Sequence, residues 1–282
     1  MPLPPKLPPS WPPAFPTLGR EDLRELAQAR ALLENPGLTA RVANALGRPI
    51  EKGIAMLPTD WSNTVQQAAH AALTKALAVA VSSLGRKTAK PSSERLHKLL
   101  VGASGGVGGL FGLLALPVEL PVSTTIMLRS IADIARSEGH DLRSPCVRLS
   151  CLEVFALGGR PASDDATESA YWAVRAALAQ ALSEAANYLA RKKVVEETAP
   201  VILRLITGFT SRFGVIVSEQ AAAMAVPVLG AAGGAAINVL FMSHFQDMAR
   251  GHFIVQRLEA IHGTEKVRAT YDSLGRPGEG RP

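Results

Sequence analysis

Cysteine, aromatic residues and, over two long stretches, charge are what this 282-residue sequence has least of. Its two cysteines, Cys146 and Cys151, stand five apart with no partner at ligand spacing, which argues against a zinc site. They read instead as small packing residues in a reducing compartment. Aromatics make up 5% of the chain while apolar residues total 47%, so the apolar mass is Ala, Leu, Val and Gly. That mix suits closely packed helices and not a β-sandwich. Eight prolines among the first sixteen residues leave no apolar run there, so no secretory signal is expected at this end. There is no Walker-type lysine loop and no dinucleotide fingerprint, and none of the six histidines makes an H-E-x-x-H pair. No cofactor and no metal are expected.

The missing charge is concentrated. Leu99 to Val118 and Gln220 to Ser243 contain no ionisable side chain. The first stretch holds Gly102, Gly105, Gly106, Gly108, Gly109 and Gly112. Each glycine costs a helix about 1 kcal/mol relative to alanine, so six in eleven positions require an offset. Close approach of another backbone, with small residues spaced four apart, supplies one. Each stretch runs into an Asp-x-Ala-Arg signature, Asp133 to Arg136 and Asp247 to Arg250, at a constant spacing of 114 residues. The repetition points to two structurally equivalent glycine-rich helical hairpins. Both stretches have the length of a membrane span, but glycine and alanine contribute little transfer energy and a proline interrupts each region. A hairpin buried in the protein, or dipping into one leaflet, is the expectation.

What is present around the first stretch is positive charge. Arg86, Lys87, Lys90, Arg95 and Lys98 precede it directly, within a chain of net charge +6. A basic cluster flanking an apolar segment holds that segment at an anionic membrane face; a solvated helix end is the plain alternative. Nucleic acid is not expected as a partner, because no aromatics interleave with these charges and no reader motif is present.

Helical spacing organises the chain as one all-α domain of about eight helices, over residues 19–272, between a disordered proline-rich arm (1–18) and a disordered tail (273–282). Leu23, Leu26, Arg30 and Leu33 mark a first helix, and Trp61, Val65, Ala69, Ala72, Ala76, Ala80 and Leu84 a second. A helix is expected from about Val122 to Ser137 with Pro121 in its first turn. Further helices follow from Ser163 to about Lys193, from Pro200 past Phe213, and from about Ala235 to His262.

Along the third of these, Thr125, Arg129, Asp133 and Arg136 form a polar line, matched later by Ser243, Asp247 and Arg250 with His244 beside them. Asp and Arg three apart on a helix pair locally, so Arg129, Asp133, Arg136, Asp247 and Arg250 read first as structural ion pairs. Glu119, Asp133, His244 and Asp247 are the candidate acid–base residues if the chain is an enzyme. Gly102 to Gly106 matches G-x-S-x-G around Ser104, but no β-rich run precedes it to form the strand-to-helix turn that exposes a nucleophile.

Three blocks carry a resemblance. Leu116 to Arg136, with Pro117, Glu119, Pro121, Arg129 and Asp133, is followed by Cys151 to Gly159, with Glu153, and then by Asn238 to Phe253, with His244, Asp247, Arg250 and His252. In this order they resemble the EcsC protein family over about residues 20 to 263. The resemblance implies a mainly bacterial, cytoplasmic protein with membrane association, named for a gene beside an ABC-transporter operon, and it brings no established reaction. Together with the basic and glycine-rich segments it leads to the expectation of a peripheral membrane protein of the inner face that meets anionic lipid or an ABC transporter. The expected contacts are Arg86, Lys87, Lys90, Arg95, Lys98 and the glycines from Gly102 to Gly112. A hydrolase of lipids or amphiphiles, and a soluble interaction scaffold, are the alternatives.

Overall fold

The computed structural model describes residues 18–34, 61–84, 98, 101, 116–157, 170–192, 196, 198–224 and 230–274. Among them are eight α-helices and one 3-10 turn, and no strand. The helices are α1 (Arg20–Leu33), α2 (Trp61–Ser83), α3 (Leu116–Ser137), α4 (Pro145–Glu153), α5 (Ala170–Lys192), α6 (Pro200–Met224), α7 (Gly230–His262) and α8 (Thr264–Ser273); the 3-10 turn Val154–Ala156 follows α4. The chain is all-α, as its spacing predicts. The basic residues Arg86, Lys87, Lys90 and Arg95, Ser104, and the glycines Gly102, Gly105, Gly106, Gly108, Gly109 and Gly112 lie outside the described residues, as do the proline-rich arm and most of the tail.

Alanine puts α2 at the centre. Ala68, Ala69, Ala72, Ala76 and Ala80 are buried with Val65, Leu73 and Leu77, and side chains this small let α3, α6 and α4 approach α2 from different sides. On α1 the buried face is Leu26, Ala29, Arg30 and Leu33; Leu26, Arg30 and Leu33 lie on it as expected, while Leu23, one turn nearer the start, is 38% exposed. Glu21 and Asp22 in the first turn of α1, and Arg30 in the last, complement the helix dipole. Phe155, from the 3-10 turn, meets the rings of Phe213 and Phe245 with centroids 5.2 and 5.1 Å away, and Phe241 stands edge-on to Phe245 at 5.0 Å. These rings join α6 and α7 to the end of α4.

Helix α3 starts six residues before the expected Val122, so Pro121 lies inside it. The amide it lacks would bond the carbonyl of Pro117, in the first turn, so only one bond near a frayed end is lost. Helix α6 runs past Phe213 to Met224, and α7 begins at Gly230 rather than near Ala235. The second uncharged stretch is thus shared between the end of α6 and the start of α7. These helices run antiparallel: Gln220 bonds Asn238, and Phe213 meets Phe241 and Phe245.

Two glycines in this frame predict opposite outcomes on substitution. A Cβ on Gly251 of α7 would stand 2.9 Å from the backbone oxygen of Ala29 and 2.7 Å from Leu33 Cγ, so α1 and α7 would have to separate. On Gly214 of α6 it would meet only the amide end of the half-buried Gln66, at 2.6 Å, which can swing aside. Gly251→Ala is expected to destabilise by about 1–2 kcal/mol net of its helix-propensity gain, and Gly214→Ala to stabilise by up to about 1 kcal/mol. Urea midpoints measured side by side decide the matter; equal midpoints for the two variants would refute this account of the α1–α7 contact.

Candidate functional site

Helices α3 and α7 run side by side in the same direction. Asn238 Nδ2 donates to Glu119 Oε1 at 2.6 Å, Gln246 Nε2 to Ser130 Oγ at 2.8 Å and Arg250 Nη1 to Glu138 Oε1 at 3.4 Å, while His140 Nε2 lies 2.9 Å from the Phe253 carbonyl. The separations along the chain are 119, 116, 112 and 113, which bracket the 114 between the two Asp-x-Ala-Arg signatures. The signatures therefore lie level on neighbouring parallel helices. Asp133 pairs with Arg136 at 2.8 Å, half-buried, and Arg250 reaches Glu138, which also meets Arg257 at 3.5 Å. Asp247 and Arg129 are half-buried at the same level. His244 is buried with its ring 5.3 Å from that of Phe245.

Glu119 stands elsewhere. At about 1.5 Å of rise per residue it lies about 21 Å along α3 from Asp133, so the candidate acid–base residues do not gather at one point. What surrounds Glu119 is a junction of four chain segments. Gln220, at the end of α6, donates from Nε2 to Asn238 Oδ1 at 2.6 Å; Asn238, at the start of α7, donates to Glu119 and, at 3.5 Å, to the carbonyl of Val101. Val101 belongs to the first uncharged stretch, Gln220 and Asn238 to the second, and Glu119 follows the first directly. Val101 of the first stretch and Gln220 and Asn238 of the second thus meet around a buried polar chain. Burial raises the carboxyl of Glu119 above its ordinary range, and the bond from Asn238 opposes that shift. Glu119 Oε2 and Gln220 Oε1 are buried with no hydrogen-bond partner among the described residues. Beside them the surface is apolar: Pro117 is exposed, and Val118 and Val122, one helical turn apart on α3, are 75% and 43% exposed.

A second polar cluster lies inside the bundle, and spacing along the chain does not announce it. His252 of α7 is fully buried, with Nδ1 3.1 Å from the Tyr171 hydroxyl and Nε2 3.1 Å from Gln256 Nε2 and 3.5 Å from Glu153 Oε2. Gln256 also donates to Ser150 Oγ at 3.1 Å. Because the Gln256 amide can only donate to Nε2, the neutral ring carries its proton on Nδ1 and gives it to Tyr171. Burial holds His252 well below the usual histidine range and pushes the Glu153 carboxyl up to about 7. Beside them Arg175 makes a two-pronged pair with Glu259, at 3.0 and 2.9 Å, and lies 5.0 Å over the Trp172 ring.

The pattern of the EcsC protein family matches this chain from residue 20 to residue 258. The chain belongs to the EcsC family. Neither a curated protein nor a solved structure matches it. In this EcsC protein the three blocks that carry the resemblance are α3, the end of α4 with its 3-10 turn, and the middle of α7. The first and third supply Glu119 and Asn238; the second and third supply Glu153 and His252. Glu119 is a candidate site residue from the sequence, whereas Gln220, Asn238, Glu153, His252 and Tyr171 are not; for Asn238, Glu153 and His252 the signal is their place in these blocks. No group of three or more His, Cys, Asp or Glu able to hold a metal occurs among the described residues. Cys151 is buried, its thiol raised by that burial, while Cys146 is exposed at the start of α4 rather than packed.

Proposed function

We propose that this EcsC-family protein is a peripheral, lipid-interacting protein of the cytoplasmic membrane face, and that it meets the bilayer with the end of the bundle where residues of its two uncharged stretches meet. The observation that carries the reading is the exposed apolar turn of Pro117, Val118 and Val122, the first two of which end the uncharged run from Leu99. Exposed Val at two successive turns of one helix face is where a soluble surface would place charge. Lys98 lies three residues before Val101 and so stands at the same end, closing a run with Arg86, Lys87, Lys90 and Arg95. Cations beside an inserted apolar edge are worth about 1 kcal/mol each against an anionic leaflet. An ABC transporter is the partner to test in that setting. One described stretch, Pro200–Ala222, is long and apolar enough to cross a membrane, with half of it buried in the bundle; its Ile202, Leu205, Ile206, Phe209 and Phe213 belong to the core.

Co-flotation of the full chain with phosphatidylglycerol-containing vesicles tests the reading. Flotation is expected at low salt, weakened by high salt and by neutralising the five cations, and weakened several-fold by Val118→Asp with Val122→Asp, two exposed positions where the fold tolerates charge. Absence of flotation, or flotation indifferent to the valine substitutions, would sink it.

A further inference from the structure

We propose that the junction of Glu119, Gln220 and Asn238 holds the primary ammonium head of an amphiphile. The inference deepens the lipid-interacting reading, on which it rests for the source of the ligand, and it starts from a count of donors and acceptors. Asn238 has spent both amide hydrogens, on Glu119 Oε1 and on the Val101 carbonyl, and Gln220 has given one to Asn238 Oδ1. What is left over is two acceptors against the one remaining amide hydrogen of Gln220: Gln220 Oε1, on a side chain only 2% exposed, and Glu119 Oε2, both without a partner among the described residues.

An unmet buried acceptor is costly, and an unmet buried carboxylate more so. A phosphate or carboxylate head would add acceptors and negative charge to a site already rich in both. A hydroxyl brings one donor with acceptors of its own, and a quaternary ammonium brings charge without an N–H. A primary ammonium brings three donors, no acceptor and the charge that Glu119 calls for. Its apolar chain would leave along Pro117, Val118 and Val122, the exposed apolar turn next to Glu119 on α3. Burial raises the Glu119 carboxyl, and the positive charge of an ammonium beside it would oppose that shift in the same sense as the bond from Asn238.

The probes are hexylammonium, hexyltrimethylammonium and hexanol, added to the full chain and followed by calorimetry. Hexylammonium is expected to bind at least about tenfold more tightly than either analogue, the factor that a charge-assisted hydrogen bond carries. Glu119→Gln, which keeps shape and removes charge, is expected to abolish that preference. Equal binding of hexyltrimethylammonium, or a preference unchanged in Glu119→Gln, would overturn the proposal; the analogue series on the unmodified chain decides even if the variant does not fold. Vesicles of equal phosphatidylglycerol content, made with phosphatidylethanolamine or with phosphatidylcholine, separate the two readings. Flotation without any preference for hexylammonium leaves the membrane reading standing and removes the head group. Hexylammonium preference without flotation does the reverse.

Discussion

Replacing Arg175 with Met is expected to destabilise this protein by about 3–5 kcal/mol, the loss that follows when one member of a buried ion pair is removed. For a domain of this size that is a drop of about 10 °C in thermal midpoint. The guanidinium is 20% exposed and its partner Glu259 only 9%, so Met would leave a carboxylate with little water and no cation. The damage spreads through the cluster. Arg175 lies over the rings of Tyr171 and Trp172, and its charge lowers the carboxyl of Glu153 against the effect of burial. The double replacement Arg175→Met with Glu259→Leu is expected to recover most of the loss, since a well-packed apolar pair of similar volume often matches a buried ion pair. Thermal and urea unfolding of both variants test this. A double variant no more stable than the single one would show that packing against Tyr171 and Trp172, and not the stranded carboxylate, sets the cost.

The helices were legible where apolar spacing is dense, and the polar clusters were not, for the same physical reason. Trp61, Val65, Ala69, Ala72, Ala76, Ala80 and Leu84 repeat within one segment and are all buried, because a helix buries a stripe that its own sequence encodes. The short helix α4 carries little such periodicity, and α8 offers the core only Val267 and Tyr271, one turn apart. Helix α8 is held from a distance: Arg30 of α1 donates to the Tyr271 carbonyl, 241 residues away, and its guanidinium lies 5.1 Å over the Tyr271 ring. Nothing local to Thr264–Ser273 predicts that contact. The boundary of α3 was misread because a proline inside a helix looks like a start when its lost bond falls in the first turns. The constant spacing of 114 was visible in the sequence, but that it sets two signatures level on adjacent parallel helices follows only from the contacts of α3 with α7. Glu119 was visible as a lone acid beside an uncharged run. Its importance comes from Asn238 and Gln220, which are ordinary amides until the fold buries them together. Glu153 and His252, 99 residues apart, meet only because α4 and α7 both pack against α3.

That last meeting sets the protein's response to pH, and Glu153→Gln isolates it. Glu153 titrates near 4.5 when unfolded and at about 7 in the bundle, so the folded chain keeps a proton that the unfolded chain releases. Its contribution to stability is complete below pH 4.5 and falls away as pH rises through about 7, by about 3 kcal/mol for a shift of this size. His252 works in the opposite sense: its folded value lies well below 6.5, so its contribution is present above pH 6.5 and is lost as the pH falls and the unfolded imidazole takes up a proton that the buried ring refuses. The groups facing the pair are Tyr171, Arg175 and Glu259, with His140 adding to the depression of His252. Between pH 4.5 and 6.5 the two slopes therefore oppose each other, and between 6.5 and about 7.5 the Glu153 decline acts alone. The amide introduced by Glu153→Gln would keep the shape of the side chain and have no proton to lose. The variant is expected to gain on the parent as pH rises from about 5 to about 8, by about 3 kcal/mol across that interval, while its acid limb, set by His252, stays in place. Urea unfolding of both proteins at half-unit steps of pH reads this directly. A difference between them that stays flat across that interval would mean that Glu153 is already ionised in the folded chain and that His252 or Arg175 neutralises it.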